Sequence, residues 1–190
     1  TSSVNYQPYP MIPIQLTLEG LYSYQESQKI DFENLTEAGL FGIFGSVGSG
    51  KSSILEAISF ALYGETERLN SRDKRAYNMM NLKSNKSLIE FDFINYENKK
   101  FRAKREFKRN SKNFEDVKTP EVSFYEWKNE TWIPLEHSKA EKIIGLSYAN
   151  FKRTIIIPQG QFKEFLELGA TERTNMMKEI FSLHRFDLQN

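Results

Sequence analysis

Hydrophobic residues recur along this chain in two rhythms, and each change of rhythm marks a new element. Apolar and polar residues alternate from Ile14 to Leu18, and Ile30-Asp31-Phe32 alternates again after a polar stretch. A period of two puts alternate side chains on one face, so both segments read as strands. Gly39-Leu40-Phe41-Gly42-Ile43-Phe44 is apolar almost throughout, the pattern of a strand buried on both faces. The two earlier strands are expected to lead into it. The period then lengthens: Ile54, Ile58, Ala61 and Leu62 share one side of a helix over 53–63, and Gly64 stands where a helix-ending glycine belongs.

Residues 65–86 are polar, with Arg68, Arg72 and Lys74, and predict an irregular excursion with some helix. Strand rhythm returns with Ile89, Phe91 and Phe93 between Glu90 and Asp92, then a turn at 95–98. Phe101, Ala103, Arg105 and Phe107 next alternate with Arg102, Lys104, Glu106 and Lys108. Segments 121–127 and 131–135 predict a further hairpin. After Ser138 come a helical segment over 139–144 and a short one near 148–152. Thr154-Ile155-Ile156-Ile157 then reads as a buried strand broken by Pro158. Thr171 is placed to cap a helix with Met177, Ile180, Phe181 and His184 on one face. An antiparallel meander set into an α/β domain is therefore expected. No internal repeat or low-complexity segment interrupts it.

Between the apolar strand and the first helix lies Gly45-Ser46-Val47-Gly48-Ser49-Gly50-Lys51-Ser52, a full match to the G-x-x-x-x-G-K-[ST] phosphate loop. A Gly/Ser-rich turn before a helix is the bland alternative. Strand, glycine loop and helix in this order favour a nucleotide site. Gly45, Gly48 and Gly50 let the backbone wrap closely around an anion, and successive N–H groups and the positive helix end face it. Lys51 is expected to reach the β- and γ-phosphates, and the Ser52 hydroxyl to ligate Mg²⁺. The candidate ATP-binding set runs through Ser53.

Composition narrows the setting. A chain of 190 residues with 15 Phe can fill one α/β core. It has no Cys, which excludes disulfides, cysteine-ligated zinc and thiol nucleophiles within it. No stretch has the ~20 apolar residues of a membrane span, so a cytoplasmic protein without membrane contact is expected. Residues 1–10 are polar and without periodicity, and read as a leader or disordered extension before Met11. The net charge of +1 says nothing about partners. His137 and His184 lack nearby co-ligands and are not offered as metal ligands or bases.

A P-loop hydrolase also needs a strand-end Asp for Mg²⁺ and a group to position water. None of Asp31, Asp73, Asp92, Asp116 and Asp187 follows four apolar residues. The Ser-Gly-Gly signature and the Asn-Lys-x-Asp guanine motif are absent too. A phosphate cradle is present without visible machinery to use it, so no catalytic residue is assigned in this chain.

Residues 39–58, continuing through Ala61-Leu62-Tyr63-Gly64-Glu65-Thr66, resemble the N-terminal ATPase lobe of the SbcC family, SMC-like ABC-type ATPases of double-strand-break repair. Ile157-Pro158-Gln159-Gly160-Gln161-Phe162-Lys163-Glu164-Phe165-Leu166 resembles that family's Q-loop, and 172–181 the segment leading to its coiled coil. The resemblance implies an α/β P-loop fold, the N-terminal lobe of an ABC-type ATPase head over 11–190. It also implies an antiparallel β-subdomain and a helical segment after the Q-loop. The signature loop, Mg²⁺-binding Asp and catalytic Glu would lie in a C-terminal lobe beyond a coiled coil with a zinc hook. Gln159 would join Ser52 at Mg²⁺; its plain reading is a polar residue ending a buried strand. Implied partners are that C-terminal lobe, a second head in an ATP-bound homodimer, an SbcD-type metallonuclease and double-stranded DNA ends. This lobe alone would bind ATP with little turnover. A stand-alone phosphotransferase and an SMC-type DNA-tethering head without a nuclease are the alternatives.

Residues 99–112 hold eight Lys/Arg against one Glu. Arg102, Lys104 and Lys108 share a strand face opposite Phe101 and Phe107, and with Arg109 form a candidate stripe for DNA phosphates. The competing reading is a solvated edge strand whose lysines discourage pairing.

Overall fold

The computed structural model describes residues 11–21, 26–35, 46–47, 51–64, 83–113, 117–118, 122–136, 139–154, 167–169, 171–173 and 175. Antiparallel pairing organises them. Strands β1 (Met11–Glu19), β2 (Gln28–Asp31), β5 (Lys86–Asn95), β6 (Lys100–Arg109), β8 (Ser123–Lys128) and β9 (Thr131–Leu135) form one sheet in the order β2-β1-β5-β6-β8-β9. β7 (Val117–Lys118) pairs with the end of β6. Among the described residues, the two-residue strands β3 (Ser46–Val47) and β4 (Lys51–Ser52) pair with each other in a separate sheet. Among the described residues the helices are α1 (Ser53–Tyr63), α2 (Ala140–Ile144) and α3 (Tyr148–Thr154), with helical residues also at 171–173 and 175.

The predicted meander is present. Its registers follow from the turns. Between β5 and β6, the buried Asn95 side chain accepts the N–H groups of Glu97 and Lys99, each at 3.1 Å, and Asn98 takes φ 60°. Between β8 and β9, Asn129 and Glu130 both have positive φ (53° and 60°), the geometry of a two-residue hairpin turn whose twist matches its strands. That hairpin makes Lys128 and Thr131 the closing pair, so the ladder alternation turns the nitrogen of Pro134 toward the open side of β9. A proline there offers no N–H and blunts the edge.

One expectation shifts by a residue. Ile14, Leu16 and Leu18 alternate in sequence, but the pairing of β1 with β5 slips between Pro13 and Gln15. This bulge leaves Ile14 half-buried while Met11, Pro13, Leu16 and Leu18 turn inward. β1 finds its partners in β2 and β5. The strand expected at 39–44 lies outside the described residues, as do 65–82 and 155–166. Helix α3 continues through Thr154, where the sequence pattern predicts the opening of a strand.

Helix α1 lies on the apolar face of the sheet. Ile54, Ala57, Ile58, Ala61 and Leu62 are each at most 1% exposed. Phe60 stacks on Phe107 at 5.2 Å, and Phe91, Phe93 and Phe101 stack in sequence across β5 and β6 at 5.4 and 5.8 Å. Fully burying such side chains stabilises each by about 1.5–3 kcal/mol, enough to hold a marginal 11-residue helix in place. The helix that begins at the phosphate loop is thus anchored by the meander.

Candidate functional site

The phosphate loop is defined at its two ends. Ser46 pairs with Ser52 and Val47 with Lys51, and α1 starts at the next residue, Ser53. Ser46–Val47 and Lys51–Ser52 thus run antiparallel to each other immediately before the helix. A helix start carries unsatisfied N–H groups and the positive end of the macrodipole. A lysine ammonium and helix-start amides are the kinds of group that suit phosphate oxygens, and a serine hydroxyl suits a hard cation. Gly45, Gly48, Ser49, Gly50 and Gln159 lie outside the described residues, as do the side chains of Ser46, Val47, Lys51, Ser52 and Ser53.

The far end of α1 is held from two sides, by residues that no sequence motif singles out. Gly64 closes the helix as expected, with φ 70° and its N–H donating to the Phe60 carbonyl at 2.8 Å. Arg105, on the apolar face of β6 and 9% exposed, sends its Nε to the Ala61 carbonyl at 3.3 Å and lies 5.1 Å above the Phe60 ring. A cation at this end complements the helix dipole. Tyr63, the last helical residue, donates its hydroxyl to the Leu146 carbonyl at 2.8 Å and packs against Tyr148 and Phe151. Burial, with Glu141 nearby, pushes its phenol well above the usual range.

The stripe on β6 is arranged differently from the expectation. Arg102, Lys104 and Lys108 do share a face opposite Phe101 and Phe107. Arg109 does not join them: it lies on the apolar side, 9% exposed, with Nε donating to the Ser84 carbonyl at 3.1 Å. Arg102 is engaged within the sheet. Its Nε and Nη2 donate to the two carboxylate oxygens of Asp92 at 2.7 and 3.0 Å, and Glu90 is 3.3 Å away. The Trp132 ring covers the guanidinium at 4.2 Å. The hydrogen bond it donates to Asp92 is the main reason that this guanidinium is held more firmly protonated than usual. Lys104 lies opposite Glu90 and 3.4 Å from Glu106. Nor is β6 an edge strand, since β5 and β8 flank it. In register, Lys108 stands between Lys86 on β5 and Lys118 on β7.

Among the described residues, no helix is long and apolar enough to cross a membrane. A family model described as an AAA domain matches residues 15–187. The chain is similar to the SbcC subunit of the SbcCD nuclease of Clostridium acetobutylicum, with 39% identity over 184 residues, 93% of this chain and 15% of that protein. The same-named protein of Bacillus subtilis is 38% identical over 183 residues, 93% of this chain and 16% of its own length. A probable DNA double-strand break repair Rad50 ATPase of Aquifex aeolicus is 30% identical over 180 residues, 93% and 17% of the two chains. The chain therefore spans about one-sixth of the curated relatives it matches. With the matched model covering nearly all of it and the phosphate loop leading into α1, this chain belongs to the AAA-domain family of P-loop ATPases.

Proposed function

We propose that this chain is the N-terminal, ATP-binding lobe of an SbcC-type ATPase head, spanning 11–190, in a nuclease complex that processes DNA ends. The observation that carries the reading is the similarity to the SbcC subunit of SbcCD across 93% of the chain. It favours this function over a stand-alone phosphotransferase. The N–H groups at the start of α1, with Gly45, Gly48 and Gly50, would hold the phosphates of ATP. Lys51 would neutralise the β- and γ-phosphates, while Ser52 and Gln159 would hold Mg²⁺. The ion's contribution is charge neutralisation and orientation of the phosphates. The chain's own part is to bind and align the nucleotide; the groups that hydrolyse it are assigned to a C-terminal lobe. A second head would close over the nucleotide, and a metallonuclease of the SbcD type would be the regulated partner. Duplex DNA would be bound without sequence reading, with the row Lys86, Lys108 and Lys118 supplying phosphate contacts.

Calorimetry with a non-hydrolysable ATP analogue and Mg²⁺ on the full-length chain tests this. Lys51→Ala is expected to abolish binding; unchanged affinity would remove the reading. Gln159→Ala is expected to weaken the Mg²⁺ dependence more than binding itself.

A further inference from the structure

We propose that the outer face of β6, β8 and β9 binds unpaired nucleotides, with Trp127 stacking on a base and Lys100 meeting a phosphate. The inference rests on the reading of this chain as part of a complex that acts on DNA ends, and names the single-stranded part of that substrate. Both tryptophans of the chain stand on this face. Trp127 on β8 is directly opposite Trp132 on β9, with ring centroids 5.0 Å apart and planes at 60°. Arg102 is opposite Tyr125 on the same face, and the alternation of β6 puts Lys100 and Lys104 there too. The Lys100 ammonium lies 5.5 Å from the Trp127 ring and 5.6 Å from the Trp132 ring. The Arg102 guanidinium lies 4.2 Å from the Trp132 ring.

A cross-strand aromatic pair stabilises its hairpin, but hairpin packing does not account for all of this cluster. Trp127 remains 40% exposed, one of two large hydrophobic residues so exposed among the described ones. Arg102 is committed to Asp92 and holds the Trp132 ring in place. Lys100 differs: among the described residues it forms no ion pair, and its ammonium is shared by the two rings. The face as a whole is positive. On β5 and β6, Lys86, Lys100, Arg102, Lys104 and Lys108 stand there against Glu90, Asp92 and Glu106, five cations to three carboxylates. Beyond Trp132, β9 is the last strand of the sheet among the described residues. An exposed ring beside an unpaired cation suits a nucleotide, whose base offers a flat π-face and whose phosphate offers the anion. A duplex keeps its bases stacked inward and gives Trp127 nothing to stack on. An acidic peptide would satisfy Lys100 and leave that ring unused. Lys108, assigned above to duplex phosphates, lies eight positions along the same face of β6, about 26 Å from Lys100. Contacts to paired and unpaired DNA would therefore share one continuous face.

The test measures binding of the full-length chain to a short oligothymidylate, to the same strand made abasic, and to a blunt duplex. Trp127→Ala should weaken oligothymidylate by about fivefold or more, the scale of one lost base stack. Its affinity for the abasic strand and for the duplex should stay close to wild type. Trp127→Phe keeps a ring and should restore most of the lost affinity. Lys100→Gln should lower the salt slope for oligothymidylate by about 0.7, the value of one single-strand phosphate contact. Tryptophan emission gives a second readout that holds even if Trp127→Ala unsettles the hairpin. Oligothymidylate should quench it, the abasic strand should not, and Trp127→Phe should remove most of the quenching. Equal quenching by both strands, or none, overturns the proposal. So does unchanged oligothymidylate affinity in a folded Trp127→Ala. An equal loss on the abasic strand also overturns it, since the face would then read charge alone, as it would for an acidic protein. If the wild type binds neither the duplex nor oligothymidylate, the DNA reading falls with the inference. If it binds the duplex while the tryptophan variants are silent, only the inference fails.

Discussion

Arg102 and Asp92 face each other across β6 and β5 in a two-point contact, at 2.7 and 3.0 Å. Asp92 is 5% exposed and Trp132 covers the guanidinium, so this charge pair is part of the sheet's outer layer. Truncating the acid would leave a shielded cation with one weaker partner, Glu90. Asp92→Ala is expected to cost about 1–2 kcal/mol, between the values for exposed and buried pairs. Urea denaturation measures it, and Arg102→Met should cost at least as much, because it removes the two-point partner of the more deeply buried Asp92 carboxylate.

The same geometry decides what a DNA measurement should find. Combined Lys104→Glu and Lys108→Glu should lower duplex affinity and flatten its salt dependence by about one to two units of slope. Lys108→Glu alone should account for most of it, because Lys104 already faces Glu90. A slope that does not move in a salt titration of the double variant would leave these lysines as solubilising side chains.

Gly20 is the least replaceable glycine described. Its φ is 68°, and a Cβ there would run into the Lys86 carbonyl and the Ser87 hydroxyl, which donates to the Gly20 carbonyl at 2.6 Å. Left-handed backbone costs about 1–2 kcal/mol for alanine, and the clash with backbone adds to it. Gly64→Ala meets only the flexible end of Arg105, at 3.0 Å. Thermal melting should rank Gly20→Ala as clearly the more damaging, with a total loss of about 2–4 kcal/mol.

Alkaline pH tests the burial of Tyr63. Its phenol is raised above the ordinary value of 10.0 in the folded chain, chiefly by burial. The protonated form is favoured by folding, so this contribution is fully present below the unfolded value. It is lost as pH rises above it. Between about pH 10 and pH 11 the wild type should lose up to about 1 kcal/mol more stability than Tyr63→Phe. Urea midpoints for both proteins across that interval measure the difference.

Local pattern determined much of this protein. Alternation in 89–107 reports which side of β5 and β6 is apolar, because a pleated strand turns successive side chains to opposite faces. The same spacing argument placed α1 over 53–63 and Gly64 at its end, and the phosphate loop was legible as a contiguous motif. Other features depend on residues distant in sequence, and no local period encodes them. The bulge in β1 arises from pairing with β5 and moves Ile14 out of phase. Alternation already puts Arg105 on the apolar side, but that the carbonyls of Ala61 and Ser84 receive Arg105 and Arg109 there is decided by tertiary contacts. Arg102 resembles a free phosphate contact until Asp92 is brought opposite it. Tyr63 reads as one more helical residue, and only tertiary packing sets its hydroxyl against Leu146, because a hydrogen bond between segments 83 positions apart leaves no trace in either.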